Sequence, residues 1–247
     1  MSNFKEIKSI TIIGNGNVAW HYYNVMHQQA LDVKCVSARE EVKEEDLSKD
    51  LIIIAIKDKV IEEVANKIAN RTSIMVHTSG STDMEILKDK APNYGVFYPL
   101  QTLTKGLQID FSGVPLCVEA NNENTLFLLK SLAQKLSNKV FEISSKQRFY
   151  LHLAAVFACN FPNHLFGTAK EILTKEDIPF DIMFPLIDQT IEKIKHNNPF
   201  DIQTGPAIRQ ENAIMESHKS KLDKDQREVY EVLSNKIIKK QSQKRID

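Results

Sequence analysis

The chain has 247 residues, with 32 basic and 32 acidic side chains, a formal net charge of +0 and a pI near 7.1. That balance supplies no basic field for nucleic acid. No apolar run approaches the roughly 18 residues of a membrane span, and Cys35, Cys117 and Cys159 lack the CxxC spacing of a zinc site or a disulfide framework. Two soluble domains with separate cores are expected at this length. With no signal peptide at the start, the expected location is a reducing cytoplasm, and the three thiols are expected to be buried and apolar.

The first predicted element is a strand through Ile10, Ile12 and Ile13, which runs into Gly14-Asn15-Gly16-Asn17-Val18-Ala19 and then into a helix carrying Tyr22, Val25 and Met26. This GxGxxA turn is a dinucleotide-binding pattern. Gly14 permits the tight turn, Gly16 lets backbone approach a pyrophosphate, and Ala19 stands where helix packs on strand. The anion would sit at the helix N-terminus. A glycine turn in some other α/β protein is the alternative, and a second strand at Asp32 to Ser37 completing the unit argues against it. After that strand an acidic residue would select NAD through the ribose 2′-hydroxyl, whereas this chain has Ser37-Ala38-Arg39. A hydroxyl and a guanidinium suit a 2′-phosphate, so NADP(H) is expected over NAD(H). An Arg39 paired with Glu40 or Glu41 on the surface is the plainer alternative.

Leu51 to Ile56 reads as a buried parallel strand, followed by a helix from Val60 to Ile68. Ser73 to Val76 is the next strand, leading to a short helix with Met84, Ile86 and Leu87. Strands at Gly95 to Leu100 and Val114 to Glu119 flank a loop from Thr102 to Gly113. A helix from Asn124 to Leu136 and a strand at Val140 to Ile143 complete an α/β sheet. In such a sheet ligands bind beyond the carboxyl ends of the strands. Ala55, Ile56 and Lys57 therefore join the cofactor set, with Lys57 facing either phosphate or solvent. His77 is placed beside the nicotinamide ribose and doubles as a second acid, while Ser79 and Ser81 are assigned to substrate. Helix capping by either serine and a hydrogen-bonded, partly buried His77 are the competing readings.

From residue 146 the apolar spacing is helical throughout, so an all-α domain is expected to residue 238, with 239–247 a basic tail that is solvated rather than functional. Gln147 to His164 places polar groups in an apolar helix. At about 100° per residue, His152, Asn160 and Asn163 fall close together, and Pro162 should free the carbonyl of Ala158. The stripe faces either a wet cleft or an internal network. His152 is the preferred acid, Asn160 belongs to the catalytic set and Asn163 orients substrate. Thr204-Gly205-Pro206-Ala207-Ile208-Arg209 marks a helix start that could hold a carboxylate through Thr204 and Arg209, unless Arg209 pairs with Glu211 or Glu216.

The glycine turn, "IIIAIKD" at Ile52 to Asp58, "HTSG" at His77 to Gly80, "FYPLQT" at Phe97 to Thr102, "HLAAVFACNFPNHL" at His152 to Leu165 and "TGPAIRQE" at Thr204 to Glu211 carry a resemblance over nearly the whole chain. The chain resembles the Rossmann-like family of uncharacterised NADP oxidoreductases, within the 6-phosphogluconate dehydrogenase-like superfamily. It is more distantly similar to pyrroline-5-carboxylate reductase, ketopantoate reductase and deazaflavin-dependent NADP reductases. The resemblance implies an N-terminal cofactor domain, a helical C-terminal domain and a homodimer formed through it. It carries over no catalytic lysine, because the polar stripe here holds His152, Asn160 and Asn163. The function expected is an NADP(H)-dependent oxidoreductase acting on a small, anionic carbonyl or imine bound between the domains. The alternative is a non-catalytic NADP(H)-binding sensor that works through a helical dimer.

Overall fold

The computed structural model describes residues 6–40, 42–69 and 73–244. Contacts divide the chain into two units, the first ending at Asn160 and the second beginning at Phe161.

The first unit is built on a seven-stranded sheet in the order β2-β1-β3-β4-β5-β6-β7. The strands are β1 (Ser9–Ile13), β2 (Asp32–Val36), β3 (Leu51–Ile54), β4 (Ile74–His77), β5 (Asn93–Pro99), β6 (Leu116–Ala120) and β7 (Val140–Glu142). Every neighbouring pair is parallel except β5 and β6. The doubly wound parallel sheet expected from sequence is therefore present, with its last two strands reversed.

Ile52, Ile53 and Ile54 have no accessible surface, because β3 lies in the interior of the sheet with both faces covered. Burying each such side chain contributes roughly 1.5–3 kcal/mol. One face packs under α1 (Asn17–Gln28) and α4 (Glu123–Leu136), through Tyr22, Met26, Leu129 and Leu132. On the other face Ile13, Ile52 and Ile54 meet Ile61, Val64 and Ala65 of α3 (Ile61–Lys67). The four-residue α2 (Glu44–Leu47) lies between β2 and β3 in the chain.

The first unit does not end with the sheet. It also takes in α5 (Ser145–Ala155) and a π-helical turn at Val156–Asn160. The contact boundary thus follows Asn160 rather than residue 145. The cause is Arg148, a side chain 1% exposed that ties α5 to β6 and to the turn after β4.

The second unit contains α6 (Phe161–Thr174), α7 (Phe184–His196), α8 (Pro206–Arg209), α9 (Asn212–Lys221) and α10 (Lys224–Lys244). The last of these runs through most of the segment expected to be a tail, and residues 245–247 of that segment lie outside those described. Among the described residues no helix is long and apolar enough to cross a membrane.

Two of the three cysteines depart from expectation. Cys117 is buried, but Cys35 is exposed on the edge strand β2, and Cys159 is exposed in the π turn.

Candidate active site

Gly14 sits between β1 and α1 with φ +141°, a conformation that side chains rarely adopt. A Cβ there would lie 2.1 Å from the carbonyl oxygen of Ala55, so the turn is pressed against the end of β3. Its N–H donates to the Val36 carbonyl at 2.9 Å, and the Ala55 N–H donates to the Ile13 carbonyl at 2.8 Å. Three strand ends are thereby locked together. Gly16 differs, since a Cβ there would meet nothing within 4 Å. It opens α1, no side chain caps that helix, and its first N–H groups are left for an anion.

A cleft of about 870 Å³ runs along this edge of the sheet. It is lined by Gly14, Asn15, Gly16, Asn17 and Val18, by Ser37 and Arg39, and by Ala55, Ile56 and Lys57. These ten are the residues assigned to the cofactor from sequence, His77 excepted. The Ser37 hydroxyl accepts from the Arg39 N–H at 3.3 Å, which shapes the turn after β2. No ion pair among the described residues occupies the Arg39 guanidinium, and Glu41 lies outside the described residues. The residues fit a dinucleotide, with an open glycine backbone for the pyrophosphate and an exposed guanidinium one strand away.

His77 is a correction. The side chain has no accessible surface and does not line the cleft. Its Nδ1 accepts from the Ser79 N–H at 3.2 Å, and Nε2 lies 3.3 Å from the Asp83 carbonyl. Burial, and then the neighbouring Arg148 charge, push it down to about 4. A neutral imidazole with both nitrogens committed to backbone is an internal brace, neither acid nor cofactor ligand.

The two serines follow the same logic. Ser79 lines the cleft, but its hydroxyl donates to Thr82 Oγ1 at 2.9 Å and accepts from the N–H groups of Ser81 and Thr82. It shapes the turn and is fully employed. Ser81 is exposed and off the cleft. Neither is placed to hold substrate.

His152 does reach the cleft, as part of the first unit. Its ring lies against the backbone of Gly80, where a Cβ would come within 2.6 Å of Nδ1. That nitrogen is 3.2 Å from Tyr98 Oη, and the rings meet edge to face with centroids 6.2 Å apart. Tyr98 stands near the carboxyl end of β5 and is mostly buried, and burial pushes its phenol up to about 12. Sequence reasoning missed it, although the strand-end rule that selected Gly14, Ser37 and Ala55 applies equally to "FYPLQT".

Arg148 positions this corner. Its Nε donates to the Ser79 carbonyl at 3.0 Å, and its terminal nitrogens reach the Thr82 carbonyl, Ser145 Oγ and the Glu119 carboxylate. Glu119 also accepts from the N–H and hydroxyl of Ser145, each at 2.7 Å. Every polar group has a partner, as burial requires. His152 follows Arg148 by four residues and so lies on the same helix face.

Lys105 was also missed. Its Nζ donates to Asn15 Oδ1 at 2.9 Å and its N–H to Asn17 Oδ1 at 3.1 Å, strapping the loop after β5 to the glycine turn.

The polar stripe does not persist. Asn160 is exposed and off the cleft, and Asn163 is exposed on α6 of the second unit. The π turn changes the angular spacing on which their alignment with His152 depended. It immediately precedes Phe161-Pro162, and Pro162 has no N–H to donate. In the second unit, Gly205 rather than Thr204 stands before α8, and no side chain caps it. Arg209 makes a two-pronged pair with Glu211, at 2.8 Å on each bond, so its fork is already taken. Among the described residues, no group of three His, Cys, Asp or Glu side chains could hold a metal ion.

A family model described as a domain of unknown function (DUF2520) matches residues 114–237. A solved protein from Bacteroides fragilis, provisionally described as an NADP oxidoreductase, is 36% identical, with 94% of this chain and 98% of that one covered and a TM-score of 0.87. A Thermotoga maritima protein is 20% identical over 96% of this chain and 99% of its own, with a TM-score of 0.66. A reductive aminase from Aspergillus terreus, solved with NADPH and ethyl levulinate, is 13% identical over 94% and 93%, with a TM-score of 0.67. The last two show a shared fold. No curated protein matches the chain.

Proposed function

The chain belongs to the DUF2520 family, and we propose that it is an NADP(H)-dependent oxidoreductase acting on a small carbonyl or imine compound. The observation that carries this reading is one cleft that joins the glycine turn, Arg39 and the Tyr98–His152 pair. A nicotinamide cofactor supplies hydride when bound. Gly16 and the start of α1 receive its pyrophosphate, Arg39 and Ser37 hold a 2′-phosphate, and Lys57 adds positive charge at the rim. His152 exchanges a proton with the substrate oxygen or nitrogen, since imidazole is the side chain suited to that task near neutral pH. The name of the Bacteroides protein and the ligands of the Aspergillus aminase support this chemistry. Arg209, held by Glu211, lends no support to an anionic substrate.

The second unit is proposed to pair with a second copy of itself. α6 and α7 bury no residue, yet they carry exposed Phe166, Ile172, Leu186, Ile191 and Ile194. These apolar faces fit a dimer under either reading, the second being a non-catalytic NADP(H) sensor that signals through a helical dimer.

The test is titration of the purified protein with NADPH and NADH. NADPH is expected to bind at least about tenfold tighter, and Arg39→Ala to remove about 10- to 100-fold of that preference, equivalent to the roughly 1.5–3 kcal/mol of a hydrogen-bonded charge. Equal affinities in the wild type would overturn the NADP(H) assignment. NADPH oxidation across a panel of carbonyls and imines separates enzyme from sensor, the sensor giving tight binding and no turnover.

A further inference from the structure

We propose that Tyr98 is the positioning residue of this site, holding Nδ1 of His152 so that Nε2 is the atom that exchanges a proton with substrate. The proposal deepens the oxidoreductase reading and rests on it for the identity of the proton's destination. Its structural part stands on the protein alone.

Four contacts define the arrangement. Tyr98 Oη lies 3.2 Å from His152 Nδ1. The backbone of Gly80 closes one side of the imidazole so tightly that a Cβ would overlap Nδ1 and Cγ. Arg148, one turn before His152, fixes α5 to the Ser79 and Thr82 carbonyls, and so to the turn that contains Gly80. Ser145 and Glu119 complete that anchor. The ring thus has a floor, a staple and one hydrogen-bonded nitrogen, while Nε2 has no partner among the described residues.

The direction of the hydrogen bond follows from burial. The phenol of Tyr98 is mostly buried, and Nδ1 is the acceptor within its reach among the described residues. A buried hydroxyl keeps its donor satisfied, so Oη–H points to Nδ1 of the neutral ring. The ring's own proton is then on Nε2. When both nitrogens are protonated, the hydroxyl turns and accepts from Nδ1–H, and the same pair serves the charged ring. In a reduction a bound nicotinamide cofactor would supply hydride to the substrate carbon. From the ring that carries both protons, the substrate oxygen or nitrogen takes the Nε2 proton, and the Nε2–H bond leaves its pair on the ring. The ring becomes neutral with Nδ1–H still donated to Tyr98 Oη, and water later restores the Nε2 proton. The groups facing Tyr98 are His152 and Arg148 from α5, Cys117 from β6 and Asp58 beyond β3. Arg148 is committed to Glu119 and to backbone carbonyls.

The experiment is proton–nitrogen correlation spectroscopy of the full chain carrying nitrogen-15 histidine, at a pH where the imidazoles are neutral. His152 is expected as the Nε2–H tautomer. Tyr98→Phe is expected to shift the tautomer ratio about fivefold toward Nδ1–H, the equivalent of one hydrogen bond of roughly 1 kcal/mol. His77 serves as the internal control, because its Nδ1 accepts from Ser79 and Nε2 faces the Asp83 carbonyl. Its signature must stay unchanged. Gly80→Ala, which drives a methyl into the ring, is the second variant and is expected to abolish the bias without touching Tyr98. An Nδ1–H tautomer in the wild type, or an unchanged ratio in Tyr98→Phe, overturns the proposal. If the bias stands but the wild type binds neither NADPH nor NADH, the oxidoreductase reading fails and the positioning role remains.

Discussion

The sheet unit and the helical unit treat their apolar residues in opposite ways. In the first, branched aliphatics fill both faces of the sheet, and Ile10, Ile12, Ile53 and Val76 have no accessible surface. In the second, only Ala207, Met215 and Gln226 are buried among residues 161–243, while Phe184, Leu186 and Ile191 stand exposed. A sheet buries its own strands once helices cover it, whereas amphipathic helices need a partner face to exclude water. The difference teaches where rigidity and chemistry belong. The glycine turn, Arg39, Tyr98 and His152 all sit on the unit that has its own core, as precise positioning demands.

The largest expected effect tests whether α5 truly belongs to the sheet unit. Arg148→Met leaves Glu119 with no countercharge and unpins the turn after β4. A loss of about 4 kcal/mol in urea denaturation is expected, in the range for breaking one side of a buried ion pair. A change under about 1 kcal/mol would return α5 to the helical unit.

Gly14→Ala comes next. The methyl meets the Ala55 carbonyl in a positive-φ backbone, so a cost of about 3 kcal/mol is expected together with loss of dinucleotide binding. Retained binding would show that the turn is not the cofactor cradle.

His77 ties the sheet unit's stability to pH. Its pKa is about 4 in the folded protein and 6.5 in a free side chain. Between those values the unfolded chain takes up a proton that the folded chain refuses, so this contribution is full above about pH 6.5 and is lost as pH falls toward 4. It amounts to about 3 kcal/mol over the whole window. His77→Asn should flatten that part of the stability profile, measured by denaturation at successive pH values. An unaltered slope would mean that the imidazole is not held neutral.

The smallest effect on folding is expected in the helical unit. Leu186→Glu with Ile191→Glu should change the stability of the single chain by less than about 0.5 kcal/mol per site, because both side chains are exposed on it. The same pair should convert the proposed dimer to a monomer in analytical ultracentrifugation. Unchanged sedimentation would place the partner surface elsewhere.

Much of the sheet unit was legible because its signals are local. The alternation of strand and helix, the GxGxxA turn and the Ser37-Ala38-Arg39 sequence each lie within a few residues, and strand ends gather on one edge by the rules of parallel sheets. The ten cofactor-side residues that share the cleft are all of this kind. His77 failed because strand-end position does not say whether a side chain points into the cleft or into the core. The alignment of Asn160 and Asn163 with His152 rested on a helical period that a π turn interrupts. Arg209 pairs with Glu211 two residues away, the plainer of the two readings the sequence offered.

The sequence by itself determined the sheet, the glycine turn and the strand ends that make a dinucleotide cleft, since backbone geometry at glycine and the burial of branched aliphatics act over short stretches. Only the tertiary structure decided that α5 joins the sheet, that Tyr98 meets His152, and that Arg148 and Glu119 hold the corner between them. Those contacts join residues 29 to 69 positions apart. Nothing in local propensity encodes such separations, and they arise only when packing brings a buried charge to its partner.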